Sequence, residues 1–465
     1  MATKVRKLKD GEGNIIAPVT STKAVINENG QNVENLLDEK VDFPTLNEKL
    51  DEKVGFRDVV GNPGIPNLPG GGILDLSLMD IYGKYIGTRE TANCYVINAP
   101  GDYKFPLIYG NAIKDGANNT QAYISAGGQY QSGFVNMFNN TISSPYIEED
   151  INNVISSAEV LISDEPDIIS DLEIINDFPC RFVKFHVSNI PETGANAVIG
   201  VRNGNGSIAW SWHIWLWDHP LEELEIINHE GNSYNILNYN LGSKYDSNST
   251  KHLINWYYQW GRKDPILLPE SYNSNRNHVY YGTNSFSIAP CAASVAESIK
   301  NPCTFYKSNS NYNYNWVQLN YYYNFWDATC ESTGATEKVI VKTIYDPCPR
   351  GFTVPNARVF TGFTSTGDNT DTVGQFNVIG SFANGWYFKK NENDSSGAFF
   401  PASGYREYSI GGLAYVGIDG YYWSAGVDSA TNVCNLNFSS GYVLPINNYT
   451  RARAFPLRPV KGGGA

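Results

Sequence analysis

Residues 411–461 read GGLAYVGIDGYYWSAGVDSATNVCNLNFSSGYVLPINNYTRARAFPLRPVK. Three parts of this run look fixed: Tyr421 to Gly426, Asn435 to Phe438 and Phe455 to Val460. Among them stand Asp419, Val427, Cys434, Tyr442, Leu444, Ile446, Asn447, Asn448, Tyr449, Thr450 and Arg453, which share no chemistry. A scaffold carrying unrelated side chains predicts a binding face, and Tyr421, Asp428, Asn432 and Ser439 complete the candidate set. Tyr442, Leu444 and Ile446 fall on one strand parity beside a polar Asn/Tyr/Thr cluster, where apolar groups are costly to leave wet without a partner. In the alternative reading Leu444 and Ile446 fill the core.

Working outward, 465 residues is long for one core and predicts two or three domains. Forty-three Gly, 31 Tyr and only 17% charged residues favour β-rich structure with many turns. A formal charge of −13 argues against nucleic acid as a partner, because phosphate binding needs clustered Lys and Arg. The start of the chain, MATKVRKLKDGEGNIIAPV, is basic without an apolar core, so no signal peptide is expected. No apolar run reaches the roughly 18 residues of a membrane span, and no membrane insertion is expected. The seven cysteines are odd in number and widely spaced, which fits buried free thiols better than a disulfide framework or a zinc site.

Residues 1–60 read as an attachment arm. A short strand pair is expected in Lys7 to Val19 around Asp10-Gly11-Glu12-Gly13-Asn14. A helical stretch with Val33, Leu36, Leu37 and Val41 at helical spacing follows. Leu-Asp-Glu-Lys-Val occurs at 37–41 and again at 50–54, with Pro44 between. Such short amphipathic helices need partners, so the arm is expected to trimerise or dock, most simply as a homotrimer. Residues 61–72, GNPGIPNLPGGG, form a linker. Residues 73–222 show short alternating runs at turn-punctuated intervals and predict a β-sandwich spacer. In Ile208 to Asp218 the tryptophans occupy both strand parities, so both faces should be covered. Packing is the expected use of that ladder, a sugar platform the alternative. His213 and His219 lack a carboxylate or cysteine at ligand spacing, and no metal or other cofactor is expected.

Residues 223–460 read as an α+β head on an otherwise mainly β chain. Ala292 to Lys300 looks helical, stopped by Asn301-Pro302, and Asp346-Pro-Cys-Pro-Arg-Gly-Phe-Thr-Val-Pro355 reads as a rigid turn before a strand. The run 308–326, SNSNYNYNWVQLNYYYNFW, has the Tyr/Asn mixture of recognition surfaces and equally suits a polar loop packed on the head.

Four motifs in order carry a family resemblance: Trp256-Tyr-Tyr-Gln-Trp-Gly-Arg-Lys-Asp-Pro265, Ser298-Ile-Lys-Asn-Pro302 with Phe305-Tyr306, Lys342 to Pro355, and the C-terminal run. They resemble the Bacteroidetes surface domain related to C-type lectins and to formylglycine-generating enzymes. The C-terminal run resembles that of C-type-lectin-like variable proteins diversified by retroelements, found in phage tail tips and gut Bacteroidetes. In those proteins the variable positions are template AAC or AAT codons whose adenines are replaced at random. That yields Asn, Tyr, Ser, Asp, Thr, Ile, Leu, Val, Cys or Arg, and the scattered residues above all belong to that set. ANCYVINAPGDYKFPLIYGNAI and IAWSWHIWLWD resemble a module that precedes such heads.

The resemblance implies a C-type-lectin-like head that grips a host surface protein or glycan, in a phage tail-fibre or tail-tip receptor-binding protein. Its arm would join other virion tail proteins, and its place would be the virion, assembled in the host cytoplasm. A bacterial adhesin or pilus-tip protein is the alternative; it would need an export signal. Enzyme readings find little. Formylglycine formation uses a cysteine pair where this chain offers only Cys434, and Asp419 and Asp428 stand nine apart without a general-acid context. Calcium-dependent sugar binding would need Glu-Pro-Asn or Gln-Pro-Asp where Leu444-Pro445-Ile446 stands. The expectation is binding without catalysis.

Overall fold

The computed structural model describes residues 72–125, 127, 133–244, 256–266, 287–318 and 322–462, together with the backbone of four two-residue strands. Two of these, Leu8–Lys9 and Ile15–Ile16, pair antiparallel with Leu8 opposite Ile16, where a strand pair is expected. The Leu-Asp-Glu-Lys-Val repeats and the rest of the arm lie outside the described residues. Two compact units divide the chain, Met1–Pro66 and Asn67–Ala465, and the division falls inside the Gly/Pro stretch 61–72.

The chain is mainly β, with two short α-helices among the described residues. Its first large feature is built from β1 (Leu74–Asp75), β2 (Cys94–Ile97), β3 (Gly101–Pro106), β4 (Ile155–Ser163), β5 (Ile169–Asn176), β6 (Arg181–Val187), β7 (Ala195–Asn203) and β8 (Ile208–Leu216). One sheet has the order β1-β3-β6-β5 and the other β2-β8-β7-β4. The sheets face one another through aromatic rings. Phe105 of β3 lies 5.4 Å from Tyr95 of β2 and 4.8 Å from Trp212 of β8, in the offset and tilted arrangements that ring quadrupoles favour.

All nine residues of β8 are buried, which the alternation of its side chains explains. Trp212 faces the other sheet, while Ser211, His213 and Trp215 face the remainder of the unit. Ser211 Oγ donates to Asp264 (2.6 Å), and the Lys263 ammonium donates to both (2.6 Å each), giving a buried ion pair closed by a hydroxyl. His213 stacks on Trp256 at 5.3 Å, its Nε2 lies 2.9 Å from Asn196 Oδ1 and its Nδ1 lies 3.3 Å from the Tyr258 hydroxyl. Trp215 Nε1 donates to the Ser243 carbonyl (3.1 Å). The tryptophan ladder is therefore packing on both sides.

Between β8 and the C-terminal sheet the ladders are short, and side chains supplement them in satisfying backbone groups. Indole N–H groups join segments far apart in sequence. Trp423 donates to the Tyr258 carbonyl (2.8 Å), Trp260 to that of Ser424 (3.0 Å), Trp316 to that of Trp260 (2.7 Å) and Trp326 to that of Tyr345 (3.0 Å). Asp346 accepts the amides of Cys348 (2.7 Å) and Val354 (3.1 Å), which fixes the proline-rich turn. Asn93 and Asn111 in turn donate to the Asp346 carbonyl (2.8 and 3.1 Å), so the sandwich residues hold the turn from outside. The helix Val295–Lys300 starts on a capping box: Ser294 Oγ accepts the Glu297 amide (3.2 Å) and the Glu297 carboxylate accepts the Ala293 amide (2.7 Å). It stops at Asn301, ahead of Pro302.

The run 308–326 is split in its roles. Trp316, Val317, Tyr323, Phe325 and Trp326 are buried, whereas Tyr314 stays half-buried at the surface.

Candidate functional site

The candidate face is carried by a three-stranded antiparallel sheet of β9 (Gly420–Val427), β10 (Asn432–Phe438) and β11 (Val443–Thr450), in that order. Its back is anchored in an aromatic core. Tyr422, Leu436, Phe438 and Val443 pack with Phe360, Phe363, Phe388 and Phe400, and Phe363 stacks on Phe388 at 4.1 Å and 9°. Trp423 is fully buried and stacks on Phe455 at 3.8 Å. Rigid backing of this kind holds the outer strand β11 and the side chains it presents.

Along this outer strand burial alternates at first. Val443 and Pro445 are buried, while Leu444 and Ile446 stay half-exposed and are absent from the core. The register shifts at this point: Asn437 opposes Leu444, but Asn435 opposes Asn447, so one extra residue of β11 is accommodated beside Pro445. A proline in a ladder is tolerated at such a bulge. The bulge turns the following side chains, and Asn447, Asn448, Tyr449 and Thr450 are all half-buried. Asn448 Oδ1 accepts from Asn432 Nδ2 (2.9 Å) on the face of Cys434, and Asn447 Nδ2 donates to Asn437 Oδ1 (3.4 Å) on the opposite face, that of Asn435.

At the end of β11 the polar ladder becomes aromatic. The Arg453 guanidinium lies 4.5 Å from the ring of Tyr449, 4.6 Å from that of Tyr405 and 5.5 Å from that of Tyr408. It pairs with the Glu407 carboxylate at 3.4 Å. Tyr449 packs edge-on against Tyr421 (5.5 Å) and Phe455 (5.8 Å).

Five of the candidate residues are corrected by this arrangement, because they are buried and are not on the free surface: Asp419, Tyr421, Val427, Cys434 and Ser439. β10 is the central strand and is covered on both faces, so Cys434 lies within the fold, and burial pushes its thiol up to about 12. Val427 closes the β9–β10 pair opposite Val433. Tyr421 is wedged between Tyr405, Tyr449 and Phe455, and its hydroxyl donates to Asp419 (3.1 Å). Desolvation raises the pKa of that carboxyl, opposed by the hydrogen bonds from Tyr442 and Tyr421. Ser439 is a turn residue whose amide donates to the Tyr442 carbonyl (2.9 Å). The other ten are Asp428, which is exposed, and the half-buried Asn432, Tyr442, Leu444, Ile446, Asn447, Asn448, Tyr449, Thr450 and Arg453. Scattered chemistry along a sequence does not report strand position, and these five show the error it makes.

Sequence reasoning missed Tyr405, Glu407, Tyr408 and Tyr415, which the fold brings beside Arg453 from the preceding loop. Tyr415 stacks on Tyr405 (5.9 Å, 16°) and is 52% exposed. The density of tyrosines in 405–415 was the available signal. Among the described residues no group of three or more His, Cys, Asp or Glu is placed to hold a metal ion, and no helix is long and apolar enough to cross a membrane.

A family model described as a domain of unknown function (DUF8237) matches residues 377–460, which contain the three-stranded sheet and Tyr405 to Tyr415. No curated protein and no solved structure matches the chain.

Proposed function

We propose that the chain is a receptor-binding protein of a phage tail fibre or tail tip, which attaches the virion to a host surface molecule through the face of β11. The observation that carries this reading is the split of β11. Val443 is locked in the core and Pro445 is buried, while Leu444, Ile446, Asn447, Asn448 and Tyr449 all stay half-exposed along this edge strand, with Leu444, Asn447 and Tyr449 on one face and Asn448 on the other. A fixed scaffold with adaptable polar and aromatic groups is the physical design of recognition surfaces, where Tyr gives contact area at low entropic cost and Asn gives adaptable hydrogen bonds. The arm of residues 1–60 would join three identical chains and dock them to other tail proteins. The reading requires no cofactor and no catalysis.

The test is adsorption. Purified full-length protein should bind candidate host cells and block adsorption of the phage, and the pair Leu444→Ala with Asn448→Ala should weaken both without lowering the melting temperature. Wild-type protein that binds no cells and blocks no phage would sink the proposal.

A further inference from the structure

Among the described residues ten other than glycine hold a positive φ, and eight of these are Asn or Asp. The remaining two are Tyr314 (φ 55°) and Tyr415 (φ 59°). For an L-residue with a large side chain the left-handed region is disfavoured by the clash of Cβ with the following backbone, while Asn, Asp and Gly tolerate it. Strained residues of this kind concentrate where function holds them. The turn does not call for tyrosine. The Tyr415 carbonyl accepts the amides of Ile418 (3.0 Å) and Asp419 (2.9 Å), bonds that Asn or Gly at 415 would serve equally.

Each strained tyrosine packs on a ring that touches the Arg453 guanidinium. Tyr415 lies flat on Tyr405, with its ring half-exposed. Tyr314 meets Tyr408 edge-on (5.3 Å), and its carbonyl accepts the Ala452 amide (3.2 Å) just beyond the end of β11. Arg453 touches both Tyr405 and Tyr408, and its charge is met by Glu407.

Resting on the reading of this face as the receptor site, we infer that Tyr415 and Tyr314 contact the ligand and that the ligand is an uncharged carbohydrate. An aromatic ring backed by a second one offers a flat apolar face, which matches the C–H side of a pyranose. The Glu407–Arg453 pair beside it offers an acceptor and donors to hydroxyls on the sugar rim, and being self-neutralised it gives no preference for an acidic ligand.

The experiment uses the full chain against an array of immobilised neutral oligosaccharides, and against host cells pretreated with periodate or with protease. The expected result is retention on at least one neutral glycan and cell binding that periodate abolishes and protease spares. Tyr415→Asn, which suits the backbone, should keep or raise the melting temperature and weaken glycan binding by about tenfold, whereas Tyr415→Phe should bind like wild type. Tyr314→Asn should weaken binding without unfolding. Cell binding abolished by protease and spared by periodate, with no glycan retained, overturns the carbohydrate assignment in favour of a protein contacted by the exposed Ile410 and Ile418, and leaves the attachment reading standing. Glycan binding that both Asn variants retain overturns the site. Absence of any cell or glycan binding removes both readings.

Discussion

At the scale of single residues, burial separates groups that the sequence lists side by side. Trp423 stacks on Phe455 and donates to the Tyr258 carbonyl (2.8 Å), so Trp423→Ala should destabilise the fold by about 3–5 kcal/mol, measurable by urea unfolding. Tyr449 is different, because it packs edge-on against Tyr421 and Phe455, lies 4.5 Å from the Arg453 guanidinium and stays half-exposed. Tyr449→Ala should cost about 1–2 kcal/mol and a larger share of cell binding. His213 makes the stability depend on pH. Burial lowers its pKa from 6.5 to about 3, so below pH 6.5 the unfolded chain takes up a proton that the native one refuses. The contribution is therefore complete above pH 6.5 and shrinks as pH falls, by about 1.4 kcal/mol per unit. Asp164 and Asp346, raised by burial, act in the opposite sense at lower pH. Comparing unfolding of wild type with His213→Gln at about pH 7 and pH 5 isolates the histidine, since the variant should show a shallower loss. Equal slopes would assign the acid sensitivity elsewhere.

At the scale of elements, β11 owes its two characters to one proline. Pro445 sits at the register shift, where the ladder needs no amide, and beyond the extra residue there Asn447 and Asn448 stay half-exposed on opposite faces of the strand. Replacement of any one of those four by alanine should change stability by less than about 1 kcal/mol, because none completes the core. Deleting Pro445 should do the reverse. It would close the bulge while Asn447 to Thr450 keep their β10 partners and their faces, so it should straighten the strand, displace Leu444 and Ile446 and cost binding together with a large part of the stability. Melting curves and cell-binding assays on the same variants would separate the two effects. Helix Val295–Lys300 shows the complementary case, in which the Asn301-Pro302 stop is a local signal and the helix ends there, while its start falls behind the Ser294 cap and not at the expected Ala292.

At the scale of the whole molecule, the sandwich and the remainder of Asn67–Ala465 share a buried seam. Ser211, His213 and Trp215 on one side meet Asp264, Trp256, Tyr258 and Ser243 on the other, and Asn93 and Asn111 bind the 343–346 backbone. Contacts this polar and this well paired favour one cooperative transition, so Ser211→Ala, which strands a buried Lys263–Asp264 pair, should lower the melting temperature of the whole unit in a single step. Two resolved transitions in calorimetry would contradict it. The arm adds a separate expectation: the full chain should sediment as a trimer and a chain starting at Ile73 as a monomer. Monomers in both cases would remove the trimer from the proposal.

The sequence by itself determined what depends on local pattern: a mainly β chain with turns at its Gly, Pro and Asn clusters, a boundary in 61–72, a short capped helix, and a β8 covered on both faces because tryptophans occupy both parities. The scaffold residues Trp423, Leu436 and Phe455 were legible for the same reason, being large and apolar at strand spacing. What only the tertiary structure decided was which unrelated side chains reach the surface. Cys434 and Val427 look as variable as Asn448, yet Cys434 stands on the central strand, covered on both sides, and Val427 is buried where β9 closes against Val433. Glu407 and Tyr415 look like loop residues, yet the fold pairs Glu407 with Arg453 and stacks Tyr415 on Tyr405, which Arg453 touches. Position within a sheet is fixed by non-local pairing, and no periodicity along the chain records it.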